Sequence, residues 1–256
     1  MTKVNNDIEL SGSQLLYDQP EALHSEVHGA LRFQRAEAGF PSGRELHLVP
    51  LLVGEFPQAM RHYPIIFAGA ERTPLAVMGL AEGENLFMAD GQFEAGAYVP
   101  AYLRRYPFTL AGAGEEQFVV CIDRAAPGFV EGEEGEALFS GGEPTEFTKN
   151  AIAFLDEFES ERRRTQTFID MIEAAGLFEV KNTFIPGETP EHLADYYAVS
   201  EETLRELPDA VLADLVKRGA HAMIDMHLVS LQRWDDLIVR RAARRQAEEQ
   251  PVAEAA

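Results

Sequence analysis

Apolar residues occur in short runs over the first half of the chain and at helical spacing over much of the second half. Short apolar runs bounded by Gly, Pro or Asp are typical of strands. They occur at 46–53, 64–68, 73–80, 85–89, 107–112 and 117–123. A short connection containing Gly83 joins two of these runs, and Asp90-Gly91 follows the next. The pattern therefore predicts an antiparallel meander with hairpins at both places.

Residues 146–175 have the strongest helical pattern of the chain. Apolar positions recur three and four apart, and Gly176-Leu177 resembles a helix-ending glycine with its apolar contact. These features predict a helix of about 28 to 30 residues. Its middle, 159–167, is polar nearly all round and is expected to face water or a partner.

The residues after this helix predict a hairpin followed by helices. Two weaker strand signals flank a Pro-Gly turn within 178–199, and Ser200 and Pro208 are each suited to begin a short helix. The last helix has one continuous apolar stripe, formed by Ala220, Met223, Ile224, His227, Leu228, Leu231 and Trp234.

Together these elements predict an α+β fold, in which a largely antiparallel sheet from the N-terminal half is covered by the long helix and the C-terminal helices. Residues 1–22 are interpreted as a polar N-terminal arm and 23–239 as a single domain. The Gly-, Glu- and Pro-rich loop at 126–145 is an internal seam. The tail at 240–256 has nothing obvious to pack against and is expected to fray.

Composition limits the classes of partner. The chain has 256 residues, 46% of them hydrophobic, and a formal charge of −21. Such a charge repels nucleic acid and anionic membranes. The first residues lack the apolar run of a signal peptide, and no window is apolar enough for a membrane span, so a cytoplasmic protein is expected. Cys121 is the single cysteine, which excludes an internal disulfide and suits a buried strand position.

Two groups of histidines and carboxylates are weak metal candidates. If 22–33 is a strand, His24, Glu26 and His28 share one face, as in a facial iron site. The favoured interpretation is an exposed polar face of an edge strand, since the sequence shows no third ligand nearby. His221 and Asp225 share a helix face, whereas His227 lies about 160° from Asp225 and belongs to the apolar stripe. His227 is therefore interpreted as a core histidine, and no cofactor is predicted.

The segment 98–106 is the main candidate for ligand binding. On a helix, Tyr98, Tyr102 and Arg105 are spaced four and three apart, so aromatic rings and a guanidinium share one surface. Arg104 and Arg105 can bind an anionic or carboxylate ligand. Alternatively, they form ion pairs with carboxylates such as Glu84 and hold the helix to the sheet. The predicted ligand-binding residues are Glu84, Asn85, Tyr98, Tyr102, Arg104 and Arg105.

Several motifs occur in the order found in the SapC-like family of bacterial proteins, which the chain resembles from about residue 24 to 233. They are EFPQAMRHYPIIF (55–67), PLAVMGL (74–80), GENLFM (83–88), YVPAYLRRYPF (98–108), CID (121–123), LFSGGEPT (138–145), RELPDAVLADLVKRGA (205–220) and HLVSL (227–231). The resemblance implies a place in gene clusters with TonB-dependent receptors, tryptophan halogenase-like proteins and cupin-like oxygenases. It implies no catalytic residue.

Three functional hypotheses follow. The first is a non-catalytic accessory protein that binds a carbohydrate, amino acid or peptide during uptake or modification. The second is a metal-dependent, oxygenase-like enzyme that uses His28 and another histidine. The third is a scaffold protein that docks a partner through Arg162, Arg163 and Arg164 in the polar middle of the long helix.

Overall fold

The computed structural model describes residues 16–34, 43–112, 118–185 and 191–249. The helices are α1 (Ser25–His28), α2 (Phe56–Ala59), α3 (Ala101–Arg104), α4 (Glu146–Ala174), α5 (Glu201–Arg205), α6 (Asp209–Lys217), α7 (Ala220–Ser230) and α8 (Arg233–Glu249), with a 3-10 turn at Val53–Glu55. The strands are β1 (Pro20–Ala22), β2 (Leu31–Phe33), β3 (Leu48–Pro50), β4 (Ile65–Ala68), β5 (Thr73–Val77), β6 (Met88–Ala89), β7 (Gln92–Phe93), β8 (Phe108–Gly112), β9 (Phe118–Asp123), β10 (Phe129–Glu131), β11 (Glu136–Ala137), β12 (Phe139–Ser140), β13 (Glu143–Pro144), β14 (Phe178–Ile185) and β15 (Glu191–Val199).

The largest sheet is antiparallel and has the strand order β14-β15-β4-β5-β3. Strand β4 is apolar throughout and buried, as expected of a central strand that packs on both faces. The predicted α+β class is confirmed. The sheet is not confined to the N-terminal half, however, because β14 and β15 come from the weaker strand signals after the long helix.

One of the two predicted hairpins is wrong. β5 pairs with β3 and β4, and the run at 85–89 forms β6, which pairs with β7 instead. The turn between β6 and β7 is Asp90-Gly91, with φ of 52° and 78°. Two positive φ values in succession give the turn type that matches strand twist, so the second predicted hairpin is confirmed.

Residues 22–33 do not form one continuous strand, so the condition under which His24, Glu26 and His28 would share a face is not met. The chain pairs with β9 at β1, turns through α1 and then forms β2, which pairs with β10 and β11. The seam at 126–145 is likewise not a plain loop, because it contains β10 to β13. The fully buried Leu138 lies between two of these short strands. In both 22–33 and 126–145, short pairings with strands distant in sequence determine the structure, and the local sequence pattern does not.

The N-terminal arm is anchored where the structure describes it. Tyr17 is buried and donates a hydrogen bond from its hydroxyl to the Phe108 carbonyl over 2.8 Å. The buried Asp123 carboxylate accepts from the backbone N–H groups of Asp18 and Gln19 over 3.3 and 2.9 Å. Residues 16–22 of the predicted arm therefore pack against the rest of the protein, and residues 1–15 lie outside the described ranges.

Helix α4 has the predicted length and ends, at 29 residues. Thr145 caps its start by accepting from the Thr148 N–H, and Gly176 follows its end with φ 67° while the Leu177 N–H bonds back to the Ile172 carbonyl. Its buried side chains include Leu155, Phe168, Ile169 and Ile172. Phe168 and Ile172 belong to the main hydrophobic core, and Leu155 belongs to a second, smaller one.

The predicted final helix is two helices, α7 and α8, separated at Leu231 and Gln232. Its apolar stripe is retained at Ile224, His227 and Trp234, all of which are buried. The described part of the chain contains no helix that combines the length and the apolar character needed to cross a membrane.

The tail does not fray over 240–249, contrary to prediction. α8 extends to Glu249, and Arg240 forms an ion pair with Glu94. Arg244 donates from its two terminal nitrogens to the carbonyls of Asn85 and Met88 over 2.9 and 2.6 Å. These arginines tie α8 to the β6–β7 hairpin, and this long-range partner is not visible in the tail's own sequence.

Candidate functional site

Helix α3 is held in place by the buried carboxylate of Glu55. Pro100 precedes the helix and has no side-chain cap, so Glu55 supplies the acceptor from the 3-10 turn. Its Oε1 accepts from the Ala101 N–H and the Tyr98 hydroxyl, each over 2.7 Å, and its Oε2 accepts from the Leu52 N–H over 2.8 Å. Burial raises the pKa of Glu55, against the opposing effect of these donors.

Arg105 follows α3 and is half-buried among aromatic rings. Its guanidinium carbon lies 4.3 Å from the ring centre of Tyr102, 4.5 Å from that of Phe158 and 5.6 Å from that of Tyr17. Among the described residues Arg105 forms no ion pair with a carboxylate, and its buried Nε–H has no hydrogen-bond partner. Cation–π contacts and side-chain hydrogen bonds to the hydroxyls of Tyr17 and Tyr102 hold the guanidinium in place, but neither neutralises its charge.

Arg104 points to a different surface. It is exposed, its Nε donates to the Val99 carbonyl over 3.1 Å, and its guanidinium lies 5.3 Å from the ring centre of Phe154. A long contact of 3.5 Å joins it to the Tyr98 hydroxyl. Burial and the neighbouring Glu55 raise the pKa of Tyr98, so this hydroxyl remains a donor to the carboxylate.

Three cavities lie between α3 and α4, and the two arginines connect them. The largest, of about 400 Å³, is lined by Arg105 and Tyr102. A second, of about 320 Å³, is lined by Tyr98 and Arg104. The third, of about 350 Å³, is lined by both arginines. We call the largest the α3–α4 cavity. It falls in the size range of small-molecule sites.

The wall of the α3–α4 cavity is mostly apolar. Its apolar members come from four parts of the fold, namely the β3 end, β5, the β8–β9 hairpin and α4, and include Leu51, Leu52, Pro74, Leu110, Leu155 and Ile169. The polar members include Thr73, Thr165 and Gln166. A few polar groups in an apolar wall are typical of sites that orient a small ligand.

Four charged residues line this cavity, and among the described residues Glu159 and Arg162 form an ion pair whereas Arg105 and the exposed Glu71 form none. Glu159 accepts from Nε and Nη2 of Arg162, each over 2.7 Å, and from Nε of Arg163 over 3.3 Å. The Arg162 bond is the main cause of the lowered pKa of Glu159. Among the described residues that line the cavity, Arg105 is thus the cation without a carboxylate partner.

Glu84 and Asn85 do not join the arginines of α3. Glu84 accepts from the Leu80 N–H over 2.7 Å and pairs with Arg241 of α8. Asn85 is 1% exposed and bonds the Gly43 carbonyl and the Phe87 N–H. Neither residue lines any of the three cavities beside α3, so both stabilise the turn between β5 and β6.

His24, Glu26 and His28 do not form a shared set of metal ligands, because they lie at the start of α1 and within it. His24 Nδ1 accepts from the Glu26 N–H at the start of α1, while the buried His28 accepts from the His24 N–H at Nδ1 and bonds Glu21 through Nε2 over 2.9 Å. Within the described ranges, no group of three His, Cys, Asp or Glu residues is arranged to hold a metal ion.

The contacts of Cys121, His221 and His227 are those of residues that stabilise the fold. Cys121 is buried, and burial raises the pKa of its thiol, which disfavours the nucleophilic thiolate. His221 pairs with Asp225 over 3.1 Å on the outer face of α7. His227 bonds the backbone of two strands, as expected for a core histidine.

The polar middle of α4 is only partly exposed. Thr165 is buried and accepts from the Val53 N–H over 2.9 Å, so this segment packs on the 3-10 turn. Arg162, Arg163 and Arg164 are exposed, but each pairs with a glutamate of the same helix. The sequence indicated that this segment faces water or a partner. It did not indicate that Glu159, Arg162, Thr165 and Gln166 line the α3–α4 cavity.

Comparison with curated proteins finds no match, and comparison with solved structures finds none either. The model of the SapC family matches residues 23–237. This match spans most of the chain and includes β4, β5, α3, α4 and α7, so the protein belongs to the SapC family.

Proposed function

We propose that this SapC-family protein is a non-catalytic binding protein that takes a small anionic ligand in the α3–α4 cavity. Arg105 carries the proposal. It is a half-buried guanidinium held among Tyr102, Phe158 and Tyr17, without a carboxylate partner in the described chain. Such a group presents fixed N–H donors that match the two oxygens of a carboxylate.

The surroundings support ligand binding over a purely structural role for Arg105. Arg105 hydrogen-bonds the neutral hydroxyls of Tyr17 and Tyr102, but among the described residues no carboxylate neutralises its charge, which leaves the guanidinium able to attract an anion. The apolar wall lowers the polarity around Arg105 and so strengthens its attraction to an anion. Burial also raises the pKa of Tyr102, which keeps its ring neutral beside the guanidinium.

The binding role fits an accessory function in nutrient uptake or modification, which is the role that the family resemblance suggests. The metal-dependent enzyme remains a separate prediction, and iron or zinc below about a tenth of an equivalent in the purified protein would remove it. The scaffold alternative has less support, because its three arginines already pair with Glu159 and Glu161.

Replacing Arg105 with glutamine is expected to abolish ligand binding while leaving the protein folded. The test is a thermal-shift screen of sugars, amino acids, indole compounds and 2-oxo acids. A ligand at about a hundred times its Kd adds about 2.7 kcal/mol to the free energy of unfolding. The shift should be present in the natural protein and absent in Arg105→Gln.

Arg104→Gln is the matched control, because Arg104 is adjacent but does not line the α3–α4 cavity. This variant should keep the thermal shift. Unfolding of Arg105→Gln without ligand would show that Arg105 is a structural brace, and an equal loss in both variants would move the site away from the α3–α4 cavity.

A further inference from the structure

We propose that the ligand of the α3–α4 cavity is an apolar monocarboxylate that lacks an ammonium group, such as an aryl-alkanoate or a branched-chain acid. This inference rests on the proposed binding function and specifies its ligand class. It follows from three features of the cavity: its charge balance, the pairing of Glu159 with arginines and the apolar character of its wall.

The charge balance favours a single negative charge on the ligand. Two arginines and two glutamates line the cavity, namely Arg105, Arg162, Glu71 and Glu159. Glu159 and Arg162 neutralise each other through two hydrogen bonds of 2.7 Å. Glu71 is exposed, so solvent screens its charge. Arg105 is then the one cation of the cavity wall left to be neutralised, and a single carboxylate on the ligand would neutralise it.

The same pairing disfavours an amino acid. An ammonium group inside the cavity needs a carboxylate acceptor to offset its loss of hydration. The side chain of Glu159 is only 12% exposed, and both of its oxygens already accept from arginines. An amino acid would therefore place its ammonium group in the cavity without a carboxylate to neutralise it. The acid of the same skeleton has no ammonium group and avoids this cost.

The apolar wall of the cavity determines the chemical character of the ligand beyond its carboxylate. Leu51, Leu110, Leu155, Ile169 and Phe158 surround the space beside Arg105, which suits an aromatic or branched hydrocarbon body. Few polar side chains are available to hydrogen-bond several hydroxyl groups, so sugars are a poor match.

The test compares acids with the amino acids of the same skeleton. 3-Phenylpropionate and L-phenylalanine form one pair, and 4-methylpentanoate and L-leucine form the other. Titration calorimetry on the full-length protein should show that each acid binds at least about tenfold more tightly than its amino acid. Arg105→Gln should abolish binding of the acids, and Arg104→Gln should preserve it.

Arg162→Gln tests the charge argument on a folded protein with Arg105 intact. Losing Arg162 frees Oε2 of Glu159, so the preference for the acid should shrink by about fivefold or more through tighter binding of the amino acid. An unchanged preference would show that Glu159 does not discriminate, and would overturn the inference.

Two further results separate this inference from the binding proposal. Equal or tighter binding of the amino acids, lost in Arg105→Gln, would overturn the ligand class but retain the site. Failure of all four compounds to bind would overturn the ligand class, and silence across the wider screen as well would overturn the binding proposal itself.

Discussion

Replacing His227 with alanine is expected to destabilise the protein by about 4 kcal/mol, because it removes a buried ring and two hydrogen bonds at once. His227 Nε2 accepts from the Val199 N–H over 3.0 Å, and its Nδ1 donates to the Ile65 carbonyl over 2.8 Å. The ring thus joins β15 to β4 near the point where these strands share a single described pair, Tyr197 with Phe67. Urea denaturation at neutral pH measures the loss.

The same histidine should make stability depend on pH. Burial lowers the pKa of His227 to about 4 from an ordinary value of 6.5. Between these values the unfolded chain binds a proton that the folded chain does not, so stability is fully present above pH 6.5 and falls as the pH drops toward 4. The full effect is about 3 kcal/mol.

Two variants isolate this contribution from the many carboxylates of the chain. His221→Ala changes a histidine on the outer face of the same helix and should cost about 0.5 kcal/mol or less. His227→Gln keeps an acceptor and a donor but cannot titrate. Its free energy of unfolding should therefore change less between pH 7 and pH 5 than that of the natural protein. Parallel pH profiles for the natural protein and His227→Gln would contradict the assignment.

The sequence predicted the features of His227 that depend on local spacing and not those that depend on distant strands. Its place in an apolar helical stripe follows from the positions of Ile224, Leu228 and Leu231, and burial in the core is confirmed. Its partners Ile65 and Val199 belong to strands 162 and 28 residues away. Helical periodicity contains no information about which backbone groups a tertiary fold leaves unpaired.

The same limit explains the errors in the sheets. The ends of α4 were predictable because Thr145 and Gly176 act within one turn of the helix they bound. The pairing of β5 was not, because its sequence suits either neighbour and the choice depends on β3 and β4 packing in one core. The α8 tail was misjudged for the same reason, since its partner is the hairpin around Asp90.

The candidate site was only partly predictable. Spacing along 98–106 placed Tyr102 beside Arg105, and the two side chains are in contact. Glu84, which was expected to line the same site, pairs with α8 instead. The residue that positions α3 is Glu55, some 46 positions before its partner Ala101. The one sequence signal that could have found it is its place in the family motif EFPQAMRHYPIIF.

Glu55→Ala is expected to cost about 3 kcal/mol or more, since two buried backbone N–H groups and a tyrosine hydroxyl lose their acceptor together. The donors are Leu52, Ala101 and Tyr98, and Glu55 itself is 7% exposed. Urea denaturation measures the stability, and amide hydrogen exchange at Ala101 reports whether the start of α3 has opened.

Glu55→Gln removes the negative charge of the side chain but keeps its size, so it tests how much of the stabilisation depends on the charge. Its amide oxygen can still accept from Tyr98 and Ala101, but its NH₂ group then faces the Leu52 N–H, so a smaller loss of about 1 to 2 kcal/mol is expected. Glu161→Gln, which changes a surface glutamate paired with Arg164, should cost about 0.5 kcal/mol or less. If Glu55→Ala were as mild as Glu161→Gln, the carboxylate would not be what holds α3.

Because α3 carries Tyr102 and leads directly into Arg105, the loss at Glu55 should extend to the cavity. At temperatures where Glu55→Gln remains folded, binding of an acid that depends on Arg105 should weaken by about tenfold, since a misplaced guanidinium loses its paired bonds to the carboxylate. Glu55 does not line the α3–α4 cavity, so such a loss would identify it as a positioning residue. Unchanged affinity in a folded Glu55→Gln would instead show that the aromatic rings alone place Arg105.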